Sequence, residues 1–310
     1  MTGHQLDPSP STTVDVFSRE LPPVLTVDPG DTIVLRSLNA SGHLQPQTFP
    51  GERVPTMASK KRSGHCLTGP IAVRGAVPAD VVRLCQDEIW SALGEHGVRR
   101  DDPSTWREPV VRISCPESEA FAAAGSQPVL WEAFDQLIGE GRWWRRRGVG
   151  GSIPVRFPSQ ADPGDAGWHI EGSFEVGGEW WVNYRSRARG LLALYLFSDV
   201  DAASAPTRVR PGSHRDAARV LAPAGDEGMP FPQAAQLAAR ASAARPTELA
   251  TGQAGDVIVC HPFLVHAASW PHTGRHPRIM AQPGVALHDA FPLVPPLSPV
   301  ELAMSPERAA

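Results

Sequence analysis

Two short stretches of this sequence decide its fold, although they lie far apart along the chain. The first is Gly167-Trp168-His169-Ile170-Glu171, and the second is Gly255-Asp256-Val257-Ile258-Val259-Cys260-His261-Pro262-Phe263-Leu264-Val265-His266. Residues two apart in a β-strand project from the same face, so His169 and Glu171 can point together into the interior of a β-structure. The second stretch predicts a buried strand that ends in two histidines.

These residue types in this order indicate a non-haem iron site. Two imidazoles and one carboxylate on one face of an octahedron leave three positions open, which Fe(II) needs to accept a keto acid and dioxygen. A His and a carboxylate two apart also occur by chance on surface strands, so the prediction depends on a third ligand from His261 or His266. Arg278 follows shortly afterwards, and its planar guanidinium suits the distal carboxylate of a bound keto acid.

The remainder of the chain predicts many short strands and a few helices. Apolar residues at helical spacing predict helices over 78–97 and 128–138, and an Ala-rich segment, 214–244, predicts another around 232–243. Near the N-terminus, 24–27 and 32–38 alternate as strands do. Further apolar runs of strand length, typical of sandwiches and barrels, span 149–157, 167–174, 180–184, 190–198, 206–210, 255–260, 263–267 and 277–287.

Composition limits the function classes. The chain has 310 residues, a net charge of -4 and an apolar fraction of 41%, which suit a globular protein and lack the basic surplus of a nucleic-acid-binding protein. The N-terminus has no apolar stretch of the signal-peptide type, and we expect a cytoplasmic protein without membrane contact. The four cysteines form no metal-finger or redox spacing, and the expectation is reduced thiols at Cys66, Cys85, Cys115 and Cys260.

From about residue 71 to residue 287 the sequence resembles the phytanoyl-CoA dioxygenase family of Fe(II)- and 2-oxoglutarate-dependent oxygenases. The matching text is Val73-Arg74-Gly75-Ala76-Val77-Pro78, Ile153-Pro154-Val155-Arg156-Phe157-Pro158, Trp168-His169-Ile170-Glu171, Pro211-Gly212-Ser213-His214, and the strand 255–266 with Arg278 beyond it. The resemblance implies a mainly β protein with flanking helices around a double-stranded β-helix of the jelly-roll or cupin type.

Residue by residue, the resemblance implies His169, Glu171 and His266 as the catalytic iron ligands and Arg278 as the anchor of 2-oxoglutarate. His261 then lies next to the ligand sphere without binding the metal. The implied reaction uses Fe(II), 2-oxoglutarate and O2 to oxidise an unactivated C–H bond of a small organic substrate, by hydroxylation or a related outcome, with release of succinate and CO2. A role in bacterial specialised metabolism is the associated expectation.

Several positions depart from the pattern or leave alternatives. The family usually has Asp where this chain has Glu171, and the residue two beyond Arg278 is often a hydroxyl residue, whereas here it is Met280. Arg156 and Arg275 are competing anchors for the keto acid.

Aromatic residues close to the first metal strand are candidates for substrate contact, because ligand pockets are mostly apolar and aromatic. These are Trp168, Trp180, Trp181 and Tyr184. Ordinary core packing is an equal alternative for them. The arginine-rich run 142–147 predicts either a solvated loop or a site for an anionic substrate.

The N-terminal part has a different resemblance. Pro23-Val24-Leu25-Thr26-Val27-Asp28-Pro29-Gly30-Asp31-Thr32 and His65-Cys66-Leu67-Thr68-Gly69-Pro70 are similar to the start of the acetamidase/formamidase family. We therefore predict a strand-rich extension over 1–75 and an oxygenase domain over 76–310. A metal-assisted amide hydrolase and a non-catalytic barrel-fold binding protein are the alternative functions, and the sequence does not predict an oligomeric state.

Overall fold

A computed structural model of the chain describes residues 2–9, 11–14, 23–28, 31–35, 67–68, 71–73 and 75–304. Two compact units are distinguishable, residues 1–75 and 76–310. Cys66 and the predicted strand residues 36–38 lie outside the described residues. No helix in the described part of the chain has the length and apolar character needed to span a membrane.

The first unit contains three strand pairs. The amide of Asp31 donates to the carbonyl of Asp28 at 3.1 Å. The Asp31 carboxylate also accepts hydrogen bonds from the amide of Thr2 and from His4 Nε2. The pairs are β1 (Gly3–Leu6) parallel to β4 (Thr32–Leu35), β2 (Thr13–Val14) antiparallel to β5 (Leu67–Thr68), and β3 (Leu25–Val27) parallel to β6 (Ile71–Val73).

The second unit has short strands arranged in several small sheets. The strands are β7 (Val110–Ser114), β8 (Ser152–Arg156), β9 (Phe174–Val176), β10 (Glu179–Val182), β11 (Arg189–Leu196), β12 (Thr207–Val209), β13 (Met229–Pro230), β14 (Glu248–Ala250), β15 (Val257–Cys260), β16 (His266–Ala267), β17 (Met280–Ala281) and β18 (Gly284–Ala286). Their orders are β7-β8, β13-β10-β9, β14-β12-β16, and β15-β11-β17 with β18 also on β11.

Helices surround these strands. Two of the predicted helices are confirmed over Ala79–Glu95 and Pro128–Ile138, since each has an apolar stripe that it buries and each begins at a proline signal. The third predicted helix is confirmed over Phe231–Ala241. The six α-helices of the described residues are α1 (Ala79–Glu95), α2 (Glu119–Gly125), α3 (Pro128–Ile138), α4 (Ser213–Leu221), α5 (Phe231–Ala241) and α6 (Pro299–Met304).

The segment Pro211-Gly212-Ser213-His214 follows the end of β12 and forms a turn that leads into a helix. Gly212 adopts the left-handed conformation with φ of 82°, and α4 begins at the next residue. The turn therefore opens the helix Ser213–Leu221, which was not predicted from the sequence. This helix lies outside the range 232–243, in which the Ala-rich segment predicts a helix.

Three predicted strands are shorter than expected. Within 167–174, His169 makes a single β-bridge and the regular strand begins only at Phe174. The run 263–267 pairs as a strand only at its end, in β16. The run 277–287 is divided into β17 and β18, because Pro283 lies between them and cannot donate a backbone hydrogen bond.

Candidate metal centre

The polypeptide backbone brings the two predicted histidine ligands together. The amide of His169 donates to the carbonyl of His266 at 2.9 Å, and the amide of His266 returns the bond to His169 at 2.9 Å. Residues directly opposite in such an antiparallel bridge project to the same side. The two imidazole rings therefore lie next to each other, with their centroids 4.4 Å apart.

Both imidazoles are held in the same way. Nδ1 of His169 lies 2.8 Å from the carbonyl oxygen of Gly167, and Nδ1 of His266 lies 2.9 Å from that of Leu264. A carbonyl oxygen only accepts, so the proton of each neutral ring resides on Nδ1. Nε2 of each ring is then the atom that a metal ion would bind, in place of any proton there, and the backbone fixes the ring orientation.

Glu171 completes the group. Its Oε1 atom lies 3.3 Å from His266 Nε2, and the ligand atoms of the three residues are all within 4.8 Å of one another. Burial alone would raise the pKa of Glu171, but the hydrogen bond and charge of His266, together with the charge of Arg189, outweigh burial and lower the pKa to about 2. The carboxylate is therefore ionised at neutral pH.

His169 has the complementary property. Burial and the neighbouring His266 lower its pKa, against the opposing effects of the Gly167 carbonyl and Glu171. A neutral imidazole and an ionised carboxylate are the protonation states that bind a metal, because metal binding competes with protons. The donor set of two nitrogens and one oxygen fits Fe(II) with open coordination positions.

A second cluster contains two buried arginines. Arg156 and Arg278 have only 3% and 1% of their surfaces exposed. Arg156 donates to Asp165 through Nη2 at 2.6 Å, and Asp165 also pairs with Arg112. The Nη1 atom of Arg278 donates to the carbonyl of Ala205 at 2.8 Å, and the Nε atoms of both arginines have no hydrogen-bond partner among the described residues. Arg156 is thus neutralised by a carboxylate, whereas the hydrogen bonds of Arg278 include none to a carboxylate.

Burial, followed by the charge of Arg156, lowers the pKa of Arg278 to about 9, so the guanidinium still carries its charge at neutral pH. A buried cation with an unsatisfied donor has the properties of an anion site. Arg275, the other predicted anchor, is exposed to solvent. The geometry therefore favours Arg278 among the three arginines.

Known proteins are similar to most of the length of this chain. A family described as phytanoyl-CoA dioxygenase (PhyH) matches residues 68–280. The chain belongs to the phytanoyl-CoA dioxygenase family. The resemblance seen in the sequence is thereby confirmed, and the chain is a non-haem Fe(II)- and 2-oxoglutarate-dependent oxygenase. The match does not include the N-terminal acetamidase/formamidase resemblance, which stays a prediction. No curated protein sequence matches this oxygenase.

Several solved structures are similar to parts of the oxygenase. The epimerase SnoN in complex with Fe3+, alpha ketoglutarate and nogalamycin RO has a TM-score of 0.47 and 17% identity, over 69% of this chain and 77% of that one. HygX from Streptomyces hygroscopicus, with nickel and 2-oxoglutarate bound, has a TM-score of 0.41 and 14% identity, over 69% and 80%. A putative oxidoreductase from Salmonella typhimurium LT2 has a TM-score of 0.44 and 12% identity, over 69% and 66%. At these scores the likenesses add nothing to the family assignment.

The predicted substrate-contact residues of the oxygenase have diverse surroundings. Trp168 lies between two guanidinium groups, with its ring centroid 4.8 Å from Arg208 and 4.0 Å from Arg210. Trp181 lies in β10 opposite Phe174 and Pro230, and Tyr184 packs against the main core. None of these positions tests the substrate role, which stays a prediction.

Phe231 lies next to the candidate metal centre and was not predicted from the sequence, whereas Trp180 was among the aromatic candidates. The ring of Phe231 lies 6.2 Å from that of His169 in an edge-on arrangement. Both Trp180 and Phe231 approach Gly172, the residue after Glu171, so closely that a Cβ there would be 3.0 Å from Trp180 Cβ and 3.6 Å from Phe231 Cβ. Phe231 begins α5, and no local pattern indicates that this helix start faces the metal centre.

His261, expected next to the ligand sphere, contacts other groups. Its Nε2 lies 3.2 Å from the carbonyl oxygen of Val300, its Nδ1 accepts from the amide of Phe263, and its ring stacks on His214 at 4.8 Å. His272 is buried, and its Nε2 has no hydrogen-bond partner among the described residues. Burial and the charge of Arg278 lower the pKa of His272.

The arginine-rich run 142–147 is divided between different contacts. Arg142 donates to the buried Glu301 at 2.7 Å, and Arg145 donates to Asp135 at 3.0 Å. Arg146 and Arg147 border a cavity of about 810 Å³ that does not include the three metal-capable residues in its lining. Two of the four arginines in this run therefore form ion pairs.

Proposed function

We propose that this oxygenase binds Fe(II) through His169, Glu171 and His266 and anchors 2-oxoglutarate at Arg278, inside a double-stranded β-helix. The observation that carries the proposal is the convergence of two imidazoles and one carboxylate, whose ligand atoms all lie within 4.8 Å of one another. Glu171 replaces the more usual Asp without loss of this convergence. When bound, ferrous iron with 2-oxoglutarate and O2 supplies the oxidant, and the keto acid leaves as succinate and CO2.

The residues of the chain have separate tasks in this proposal. Arg278 pairs with the distal carboxylate of 2-oxoglutarate and so fixes the direction in which the keto acid enters the site. Arg156 lies beside it, paired with Asp165, and supports the positive potential. The three side chains would hold the ion and leave further coordination positions for the cosubstrates.

We propose a small organic substrate whose unactivated C–H bond is oxidised, with hydroxylation as the default outcome. Phe231 and Trp180 border the metal centre, and Trp181 lies one residue further along β10. Aromatic side chains with few polar anchors are typical of small-molecule sites. The predictions of a cytoplasmic location and of a role in specialised metabolism accompany this proposal.

The test is anaerobic addition of Fe(II) and 2-oxoglutarate to the full chain, followed by exposure to O2. A weak visible charge-transfer band and O2-dependent formation of succinate are expected, and His169→Ala should abolish both. Exposed His276→Ala is the matched control and should behave as the wild type. Ammonia release from simple amides without O2 would favour the amidase alternative. A folded protein that forms neither the band nor succinate would contradict the proposal.

A further inference from the structure

Glu171 has a cationic neighbour in addition to its histidine partner. Arg189, the first residue of β11, places Nη2 3.8 Å from Oε2 of Glu171. The other carboxylate oxygen, Oε1, faces His266 Nε2 at 3.3 Å. The two oxygens of one carboxylate thus have different partners, one on the imidazole side and one on the guanidinium side.

Arg189 is itself held in place. Its Nε donates to the carbonyl oxygen of Gly172, the residue that follows Glu171, at 3.1 Å. Gly284 of β18 lies against the guanidinium, and a Cβ at this position would overlap Arg189 Nη1. The side chain of Arg189 is only 16% exposed. One guanidinium therefore contacts both the side chain of Glu171 and the backbone next to it.

We propose that Arg189 is a positioning residue for the metal site, which pairs with Oε2 of Glu171 and so turns Oε1 towards the two imidazoles. This inference rests on the proposed function. A glutamate has one more rotatable bond than an aspartate, so its carboxylate has more orientations to lose before it can bind a metal. Groups that orient a ligand in this way typically change metal affinity by about 10–100-fold.

The guanidinium also repels a metal ion directly, and the experiment must separate this effect from positioning. A double-mutant cycle does so, because the repulsion is present whichever carboxylate occupies position 171. The four proteins are the wild type, R189L, E171D and R189L/E171D. The measurement is the dissociation constant for Co2+, determined by anaerobic titration calorimetry without cosubstrates.

Positioning predicts that R189L weakens Co2+ binding by about 10–100-fold in the wild-type background. In the E171D background the shorter carboxylate cannot reach the guanidinium, and R189L should change the affinity by less than about 3-fold or strengthen it. G284A should weaken Co2+ binding in the same direction as R189L, because the added methyl displaces the guanidinium while leaving Glu171 intact. G284A combined with R189L should lose no more than R189L alone.

The matched control is R245L, which removes a half-buried arginine from its ion pair with Asp216 on α4. This variant should melt at a lower temperature and keep the wild-type Co2+ affinity. Unchanged Co2+ affinity in R189L, or equal losses in both position-171 backgrounds, overturns the inference. If E171D binds no Co2+, unchanged affinity in G284A overturns it instead. A folded wild type that binds no Co2+ overturns the proposed function, and this inference with it.

Discussion

Arg156 and Arg278 lie side by side on neighbouring chain segments and exchange two backbone hydrogen bonds, of 3.0 Å and 2.8 Å. Both side chains are buried, yet only Arg156 has a carboxylate partner among its hydrogen bonds, Asp165. Two buried guanidinium groups with like charges repel each other, and the negative charge of an anion bound beside Arg278 would reduce this repulsion. The pair therefore separates a structural arginine from one that is available to a ligand.

Replacement of Arg278 by leucine is expected to weaken 2-oxoglutarate binding by about 10–100-fold, the loss that corresponds to a hydrogen-bonded charge pair of about 1.5–3 kcal/mol. Titration of the Fe(II) enzyme with 2-oxoglutarate, followed by the charge-transfer band, measures this. Exposed Arg275→Leu is the control and should not change the apparent Kd. Equal losses in the two variants would disprove the preference for Arg278.

Replacement of Arg156 should act on stability. R156L leaves Asp165, which is largely buried, with Arg112 as its remaining ion-pair partner, and loss of one member of a buried pair costs about 3 kcal/mol. Urea unfolding of R156L, D165L and the double variant measures the effect. The double variant should lose less stability than the two single variants lose together, because it leaves neither charge without its partner. Strict additivity would show that the two side chains do not interact.

Gly125 should be intolerant of any side chain. It ends α2, where a Cβ would overlap the backbone of Gly148 and lie 2.8 Å from the amide nitrogen of Val149. Backbone cannot rotate aside as a side chain can, and G125A is expected to lower the free energy of unfolding by about 3 kcal/mol. At Gly94 in α1 no atom lies within 4 Å of the place that a Cβ would occupy, so G94A should raise the free energy of unfolding by about 0.5–1 kcal/mol. Similar effects of the two substitutions would contradict this packing.

Two stacked histidines should make stability depend on pH. Burial and the nearby Arg215 and Arg245 lower the pKa of His214 to about 4, against the effect of Asp216. Burial and His214 lower the pKa of His261 to about 3, against the effect of the Val300 carbonyl. In the unfolded chain both histidines titrate near pH 6.5, so the unfolded state binds more protons at lower pH. Their stabilising contribution is complete above about pH 6.5 and is lost as the pH falls towards these lowered values.

The slope of this loss is up to about 1.4 kcal/mol per pH unit for each histidine. Between pH 6 and pH 5, H214L should therefore show a slope smaller than the wild type by up to about 1.4 kcal/mol per pH unit, measured by urea unfolding. The exposed His276→Leu variant should keep the wild-type slope. An H214L slope equal to that of the wild type would show that the buried histidine pair does not cause the loss of stability at acidic pH.

The chemistry of the candidate iron site and the helices α1 and α3 could be predicted from the sequence alone. Both depend on local information, since an amphipathic helix shows its periodicity within its own residues and the H-x-E spacing places two donors close together. The sequence also shows Glu at position 171, where the family usually has Asp, and it gives the positions of His266 and Arg278 along the chain.

Only the tertiary structure decided which groups meet this site from elsewhere in the chain. The sequence alone does not distinguish Arg156, Arg275 and Arg278 as anchors. In the structure Arg156 and Arg278 are buried, and Arg156 differs from Arg278 in its ion pair with Asp165. Arg189 and Phe231 reach the site through the pairing of β11 with β18 and through the start of α5. Such contacts join residues far apart in sequence, and their partners are fixed by packing and strand register, which leave no periodic signal in any single segment.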